Sequence, residues 1–488
     1  MDYPSIKDLG QLKKSAYHSK TIKEELRANL IENIKSGKSV FHEIHGFENT
    51  VIPDLERAIL SGHNINFLGL RGQAKTKIAR LMVQLLDEYI PAIDGSEIND
   101  DPLNPISNFG MELIGEKGDK TPIKWIHRSE RYYEKLATPD VTVADLIGDV
   151  DPIKAANLKL SYADERVIHL GMIPRANRSI FVINELPDLQ ARIQVALFNI
   201  LQEGDVQIRG FKLRLNLDVQ FVFTANPEDY TNRGSIVTPL KDRIGSQILT
   251  HYPEDIEVSK KITRQEAKLK ESQTSLVAIP ELARDLLEQI AFEARDNEYI
   301  DSKSGVSARL TISALENLMS GAERRALMNG GKKTSIRLSD FISIIPAITG
   351  KVELVYEGEQ EGANLVAEHI ISSAVKTQIS ELLPSLENLK STDADNRYKD
   401  LINWFGEGNS IEILSDFTDK EYENTLAKVH PLAKVVEKYQ KDLVKNEKLF
   451  LMEMLLWALA EHSKLNKEKL TSGYNFSDLF SSYLRGEI

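Results

Sequence analysis

Ile65-Asn66-Phe67-Leu68-Gly69-Leu70-Arg71-Gly72-Gln73-Ala74-Lys75-Thr76 reads as a buried strand, a glycine-rich turn and the opening of a helix expected over Lys77 to Tyr89. This is the order a phosphate site requires. Backbone N–H groups at the turn and the helix start face the anion, Lys75 reaches the outer phosphates, and Thr76 offers a hydroxyl to Mg²⁺. The loop from Gly69 through Gly72, Gln73 and Ala74 is thus a candidate ATP cradle. One position departs from the usual pattern, which has glycine before the lysine. If that position needs positive φ, Ala74 carries about 1 kcal/mol of strain. The plainer alternative is an ordinary strand-to-helix turn.

Working outward, the apolar run Ile180-Phe181-Val182-Ile183 ends in Asn184-Glu185, which places two polar side chains at the carboxyl edge of a sheet, where a phosphate loop also lies. Asn184 can accept a hydrogen bond from metal-bound water but brings no charge. Glu185 is therefore the candidate base for activating water. A third run, Val219 to Phe223, leads into Thr224-Ala225-Asn226-Pro227, so Asn226 is a candidate sensor of the γ-phosphate, with an Asn-Pro turn as the alternative. Downstream, Arg243 in Thr238-Pro239-Leu240-Lys241-Asp242-Arg243-Ile244 stands where one subunit of a ring could offer a cation to its neighbour's nucleotide. Arg309 opens an amphipathic helix and could close over the phosphates. Singly, both arginines read as ordinary surface or first-turn residues; it is the order of all five features that favours a nucleotide site.

Composition narrows the classes. With 488 residues the chain has room for two to three domains, and zero cysteines exclude disulfides, thiolate metal sites and cysteine nucleophiles. Lys+Arg 61 against Asp+Glu 73 gives a net charge of −12, a poor footprint for coating nucleic acid. No apolar run reaches the roughly 18 residues of a membrane span, and the start lacks the order of a secretion signal, so a cytoplasmic location is the expectation.

The chain divides by pattern into a polar helical lead-in (1–40), alternating strands and helices of a parallel sheet covered on both faces (41–252), a helices-only segment (253–351) and a further helical region (352–488). The acidic stretch 357–361 reads as a solvated linker, and Ser391 to Asp395 as another. Tyr132, Tyr133, Trp125 and His127 beside Lys124, Arg128 and Arg131 could meet a polyanion, although a half-buried strand with basic edges explains them more simply. His42 and His45 lie three apart, but no third metal ligand accompanies them.

With these residues in place, the stretch from about Ile44 to Lys351 resembles AAA+ ATPases of the branch holding the magnesium chelatase ATPase subunit and the MoxR-type ATPases. Gly171-Met172-Ile173-Pro174-Arg175-Ala176-Asn177-Arg178 is similar to the family's approach to its acidic strand. Glu203 to Gly210 is similar to its inserted hairpin, and Ile93 to Pro102 to an insertion of the chelatase subunit. The resemblance implies an α/β fold: a parallel-sheet P-loop core, an α-helical lid domain and, here, a further α-helical C-terminal region. It implies ATP and Mg²⁺ as cofactors, with Lys75 and Thr76 at phosphate and metal, Asn184 and Glu185 as the acidic pair, and Asn226 as first sensor. Arg243 becomes the finger acting in trans, Arg309 the second sensor, and His45 with Gly46 falls at the adenine pocket. Further implied are a homo-oligomeric ring, read as a hexamer, and a partner carrying a von Willebrand factor A domain. Ala74 and Asn184 depart from the family pattern and bear on the rate of hydrolysis more than on binding. Three functions follow: an ATPase remodelling a partner protein, the motor of metal insertion into a tetrapyrrole, or a nucleotide-gated scaffold with little hydrolysis. Transcription activation ranks below these, because no counterpart of an activator's sigma-contacting loop is apparent.

Overall fold

The computed structural model describes residues 5–161, 165–208, 214–227, 234–386 and 397–479. Two compact units divide it, Met1–His251 and Tyr252–Ile488.

In the first unit five strands form one sheet: β1 (Ile65–Leu68), β2 (Tyr132–Leu136), β3 (Ser179–Asn184), β4 (Val219–Ala225) and β5 (Ser246–Leu249). Their order is β5-β1-β4-β3-β2, and every neighbouring pair is parallel. β3 and β4 are buried along their whole length because both faces of the sheet are covered. Side chains alternate between the two faces. Ile180 and Val182 join a core with Ile65, Phe67, Leu55 and Ile78, while Phe181 and Ile183 join another with Phe221, Phe223, Leu186 and Ile193. On the first face packs α1 (Ile22–Ser36), started by a Thr21/Glu24 capping box and burying Ile22, Leu26 and Leu30. Register fixes the functional edge: Leu68 lies opposite Ala225, and Leu136 opposite Asn184, so β1, β2, β3 and β4 end together.

The helix expected over Lys77 to Tyr89 is shorter. It forms α2 (Lys75–Leu81) with a 3-10 continuation Met82–Leu85, and Tyr89–Ile93 is instead a strand antiparallel to Ile123–His127. A helical path would break that pairing and expose the buried Ile90 and Ala92. At Arg131 the plainer strand reading holds over the polyanion one: its side chain is 1% exposed and meets Glu25 at 2.7 Å, and a buried ion pair is unavailable to a ligand. A hairpin after β3 is present as Asp205–Gln207 paired antiparallel with Arg214–Asn216; Arg209 and Gly210 of the expected stretch lie outside the described residues.

The second unit is mainly helical around a single core that draws on α4 (Glu281–Asp296), α5 (Arg309–Met328), α6 (Ala363–Leu382) and α8 (Lys445–Glu461); α3 (Ile256–Glu266) precedes them and α7 (Asp419–Ala427) stands before α8. Two parts of the helices-only reading are corrected. Val277–Ala278 pairs in parallel with Thr334–Ser335, and β6 (Ile411–Leu414), β7 (Asn466–Leu470) and β8 (Gly473–Ser477) form an antiparallel sheet in the order β6-β8-β7. The acidic stretch is no linker: Tyr356–Glu361 is a helix whose Gly358 is buried where a Cβ would lie 2.6 Å from the Tyr299 carbonyl oxygen. Ser391 to Asp395 lie outside the described residues. No described helix is long and apolar enough to cross a membrane.

Candidate functional site

The glycine-rich loop expected to cradle phosphate leaves β1 at Gly69, whose N–H bonds the Ala225 carbonyl. No side chain fits there, since a Cβ would lie 2.0 Å from Thr250 Oγ1 and 2.2 Å from Gln73 Oε1. Buried Gln73 in turn accepts from Thr250 Oγ1 at 2.7 Å, which ties the loop to the end of β5. Gly72 has φ +77, and Ala74 stands at φ +54, ψ +11 immediately before α2. The conformation suspected from the sequence is therefore present. Replacing Ala74 by glycine is expected to relieve up to about 1 kcal/mol and raise the thermal midpoint; an unchanged or lower midpoint would show that the loop stores no such strain.

Lys75 turns its ammonium back across the loop. Nζ donates to the carbonyls of Gly69 and of Leu70 (2.8 Å) and to Asn226 Oδ1 at 2.8 Å. One hydrogen bond thus joins the expected phosphate lysine to the expected sensor, 151 residues apart in sequence. Beside it, Thr76 Oγ1 donates to Asn184 Oδ1 at 3.2 Å, and Thr224 Oγ1 donates to the same oxygen at 3.1 Å. Glu185, half-buried at φ +56, places its N–H 3.1 Å from Thr224 Oγ1. Lys75, Thr76, Asn184, Glu185 and Asn226 therefore gather at one sheet edge.

Two residues of this cluster escape the sequence reading. Glu134 on β2 accepts from Asn184 Nδ2 at 2.7 Å, from the Tyr132 hydroxyl at 3.0 Å and from Arg80 Nε at 3.1 Å. Burial and the Glu134 carboxylate hold the Tyr132 phenol protonated well beyond its ordinary range, so it stays a donor. Arg80, one turn along α2, is largely exposed, and its guanidinium, charged in any case, is pushed further up above all by its hydrogen bond to Glu134. The only sequence signal for Glu134 is a charged residue inside a strand; its proximity to Asn184 comes from the β2–β3 register.

The other expected site residues have these surroundings, each within its own unit. Ile44 and Phe47, on either side of His45 and Gly46, are buried in the same core as Ile78 and Ala79 of α2. Glu43 and Lys77 approach to 3.7 Å across the same junction. Arg243 ends the helix Thr238–Arg243, where it bonds Gln202 Oε1 (3.1 Å) and the Pro239 carbonyl (2.8 Å) and lies 5.0 Å over the Phe198 ring. Within its own unit it is thus engaged with residues other than the phosphate loop. Arg309 is exposed at the start of α5 in the second unit, its N–H bonded to Ser307 Oγ.

Comparison with known proteins places this edge in context. Residues 158–245 match the Sigma-54 interaction domain family, a stretch that includes Asn184, Glu185, Asn226 and Arg243. The magnesium-chelatase 38 kDa subunit of Cereibacter sphaeroides is 25% identical over 203 residues, covering 41% of this chain and 54% of that protein. The subunit of the same name from Rhodobacter capsulatus is 25% identical over 228 residues, covering 46% and 59%. The chain thus spans about half the length of the curated relatives it matches. Among solved structures, a complex of the magnesium chelatase subunits BchI and BchD aligns at 20% identity with a TM-score of 0.35, over 66% of this chain and 98% of that one.

Proposed function

We propose that this chain, whose AAA+ core resembles that of the magnesium-chelatase 38 kDa subunit, binds ATP with Mg²⁺ at the edge of β1, β3 and β4 and hydrolyses it to remodel a partner protein. The observation that supports this most is the convergence of Lys75 with Asn226 and of Thr76 with Asn184.

The donor set fits a magnesium nucleotide. An ammonium and a glycine loop suit phosphate, while a hydroxyl, an amide oxygen and nearby carboxylates suit a hard cation that prefers oxygen ligands. Lys75 would hold the outer phosphates and Thr76 with Asn184 the metal side, and His45 and Gly46 would flank the adenine. The metal, when bound, supplies charge neutralisation to the phosphates. Asn226 would orient the attacking water and Glu185 accept its proton, the carboxylate being half-exposed and carried on a backbone held by Thr224. In this reading 253–351 acts as a lid bringing Arg309 to the nucleotide, and Arg243 completes the site of a neighbouring subunit in a hexameric ring. A partner with a von Willebrand factor A domain, a cytoplasmic setting and an undefined role for 352–488 complete it.

Phosphate release tests the reading. Glu185→Gln is expected to lower turnover by roughly a hundredfold with nucleotide binding retained. Equal background rates in wild type and variant would instead favour a nucleotide-gated scaffold, for which uncharged Asn184 is the supporting feature. A nucleotide-loaded chain that turns over ATP at full rate while its mass in solution is that of a monomer would remove the ring.

Two narrower readings have specific support. The relatives' name favours the motor of metal insertion into a tetrapyrrole; no stimulation of insertion by this chain with chelatase partner subunits would sink it. The match over 158–245 favours an activator working on a sigma factor, and failure to bind purified sigma-54 in any nucleotide state would dispose of that.

A further inference from the structure

Asn184 stands where a carboxylate would face the metal side of the site, and an amide there has two possible polarities. Its oxygen and nitrogen are alike in shape, so only hydrogen-bond partners decide which faces Thr76. Asn184 is 8% exposed and all its named contacts agree: Oδ1 receives the hydroxyls of Thr76 and Thr224, and Nδ2 donates to Glu134 Oε1 at 2.7 Å. Thr76 and Thr224 are hydroxyls that can either donate or accept, so they do not set the direction. Glu134 does, because an ionised carboxylate only accepts.

From this geometry we infer that Glu134 is a positioning residue for the magnesium side of the nucleotide site. It fixes the Asn184 amide with its oxygen toward Thr76, and it returns, one hydrogen bond away, the negative charge that position 184 lacks. The charge stands on β2 and the neutral amide on neighbouring β3. Without the Glu134 carboxylate the Asn184 NH₂ would be free to turn toward Thr76 and point a positive dipole at the cation. Tyr132 holds the carboxylate from its own strand and exposed Arg80 caps it from α2; Arg80 is a counter-ion, not part of the chain leading to Thr76. The alternative is that Glu134 only anchors Arg80 and α2. The inference rests on the nucleotide reading above and concerns how that site is tuned.

Mn²⁺ binding to the ADP-loaded full chain, followed by electron paramagnetic resonance, gives the readout, with a fluorescent ADP analogue in excess EDTA reporting nucleotide binding alone. Glu134→Gln is expected to weaken Mn²⁺ binding about tenfold or more, the usual cost of losing a partner that orients a ligand. Asn184→Asp alone sets two carboxylates against each other and is also expected to weaken it. Combining the two moves the charge to position 184 and is expected to restore affinity to within about threefold of wild type. A structural anchor would give additive losses instead, and additivity, or wild-type Mn²⁺ affinity in Glu134→Gln, overturns the inference. Should Glu134→Gln lose nucleotide binding in EDTA as well, Arg80→Ala decides: Mn²⁺ affinity at or above wild type supports the inference and a loss overturns it. Wild-type chain that binds no nucleotide even without metal removes the nucleotide reading itself, and this inference with it.

Discussion

Arg243→Ala is expected to lower ATP turnover about a thousandfold while nucleotide affinity stays within about threefold, as for an arginine that meets charge developing on a neighbour's phosphates. Action in trans belongs to the ring proposed above. In its own unit the guanidinium bonds Gln202 and the Pro239 carbonyl and lies over Phe198, none of which belongs to the Lys75 cluster. Those contacts are half-exposed, and their loss costs stability on the order of 1 kcal/mol or less. A thousandfold fall in turnover would therefore exceed what local loosening explains. Mixing separates the two roles. Arg243→Ala and Glu185→Gln should each keep about a hundredth of wild-type turnover or less, but in a mixed ring some sites combine Glu185 of the first with Arg243 of the second. Turnover well above either variant on mixing is the expected result; a mixture no faster than its components would end the in-trans role.

Parts of this site are written locally and parts are not. The strand, turn and Lys75-Thr76 lie within a dozen residues, and β3 and β4 declare themselves as continuous apolar runs because both their faces are covered. Even the strain at Ala74 follows from one missing glycine, and φ +54 meets that expectation. Glu134 is different. Nothing near it in sequence distinguishes it from a solvated strand residue, and only the parallel register of β2 with β3 brings it to Asn184. Long-range pairing also cut short the helix expected to Tyr89, since Ile90 and Ala92 bury against Ile123–His127 instead. The missed sheet at the end of the chain has the same origin. Asn466-Lys467-Glu468-Lys469-Leu470 is charged and sits at an edge, so its strand character depends on pairing with Gly473–Ser477 rather than on its own apolar pattern.

Glu453→Leu is expected to destabilise the second unit by about 3 to 5 kcal/mol. Glu453 lies on α8, 1% exposed, and its carboxylate accepts from the N–H groups of Leu338 and Ser339 (both 3.0 Å) and from the Tyr422 hydroxyl (2.6 Å). It thereby satisfies the otherwise orphaned donors at the start of the 3-10 helix Leu338–Ile344. Leucine fills similar space but strands the two buried N–H donors, each worth about 1 to 3 kcal/mol, and leaves the Tyr422 hydroxyl only the Leu449 carbonyl at 3.4 Å. Burial, reinforced by nearby Asp340 and opposed by Tyr422 and Arg337, pushes the Glu453 carboxyl up from 4.5 to about 7. Because the folded state holds this proton more tightly than the unfolded chain, the stabilisation is full below about pH 4.5 and is lost as pH rises through about 7. At about 1.4 kcal/mol for each pH unit, that window is worth up to about 3 kcal/mol. Chemical denaturation between pH 5 and 8 should show wild type losing stability with rising pH and Glu453→Gln, which cannot titrate, losing less. Parallel pH profiles for the two would mean that Glu453 is already ionised across the range, its three donors outweighing its burial.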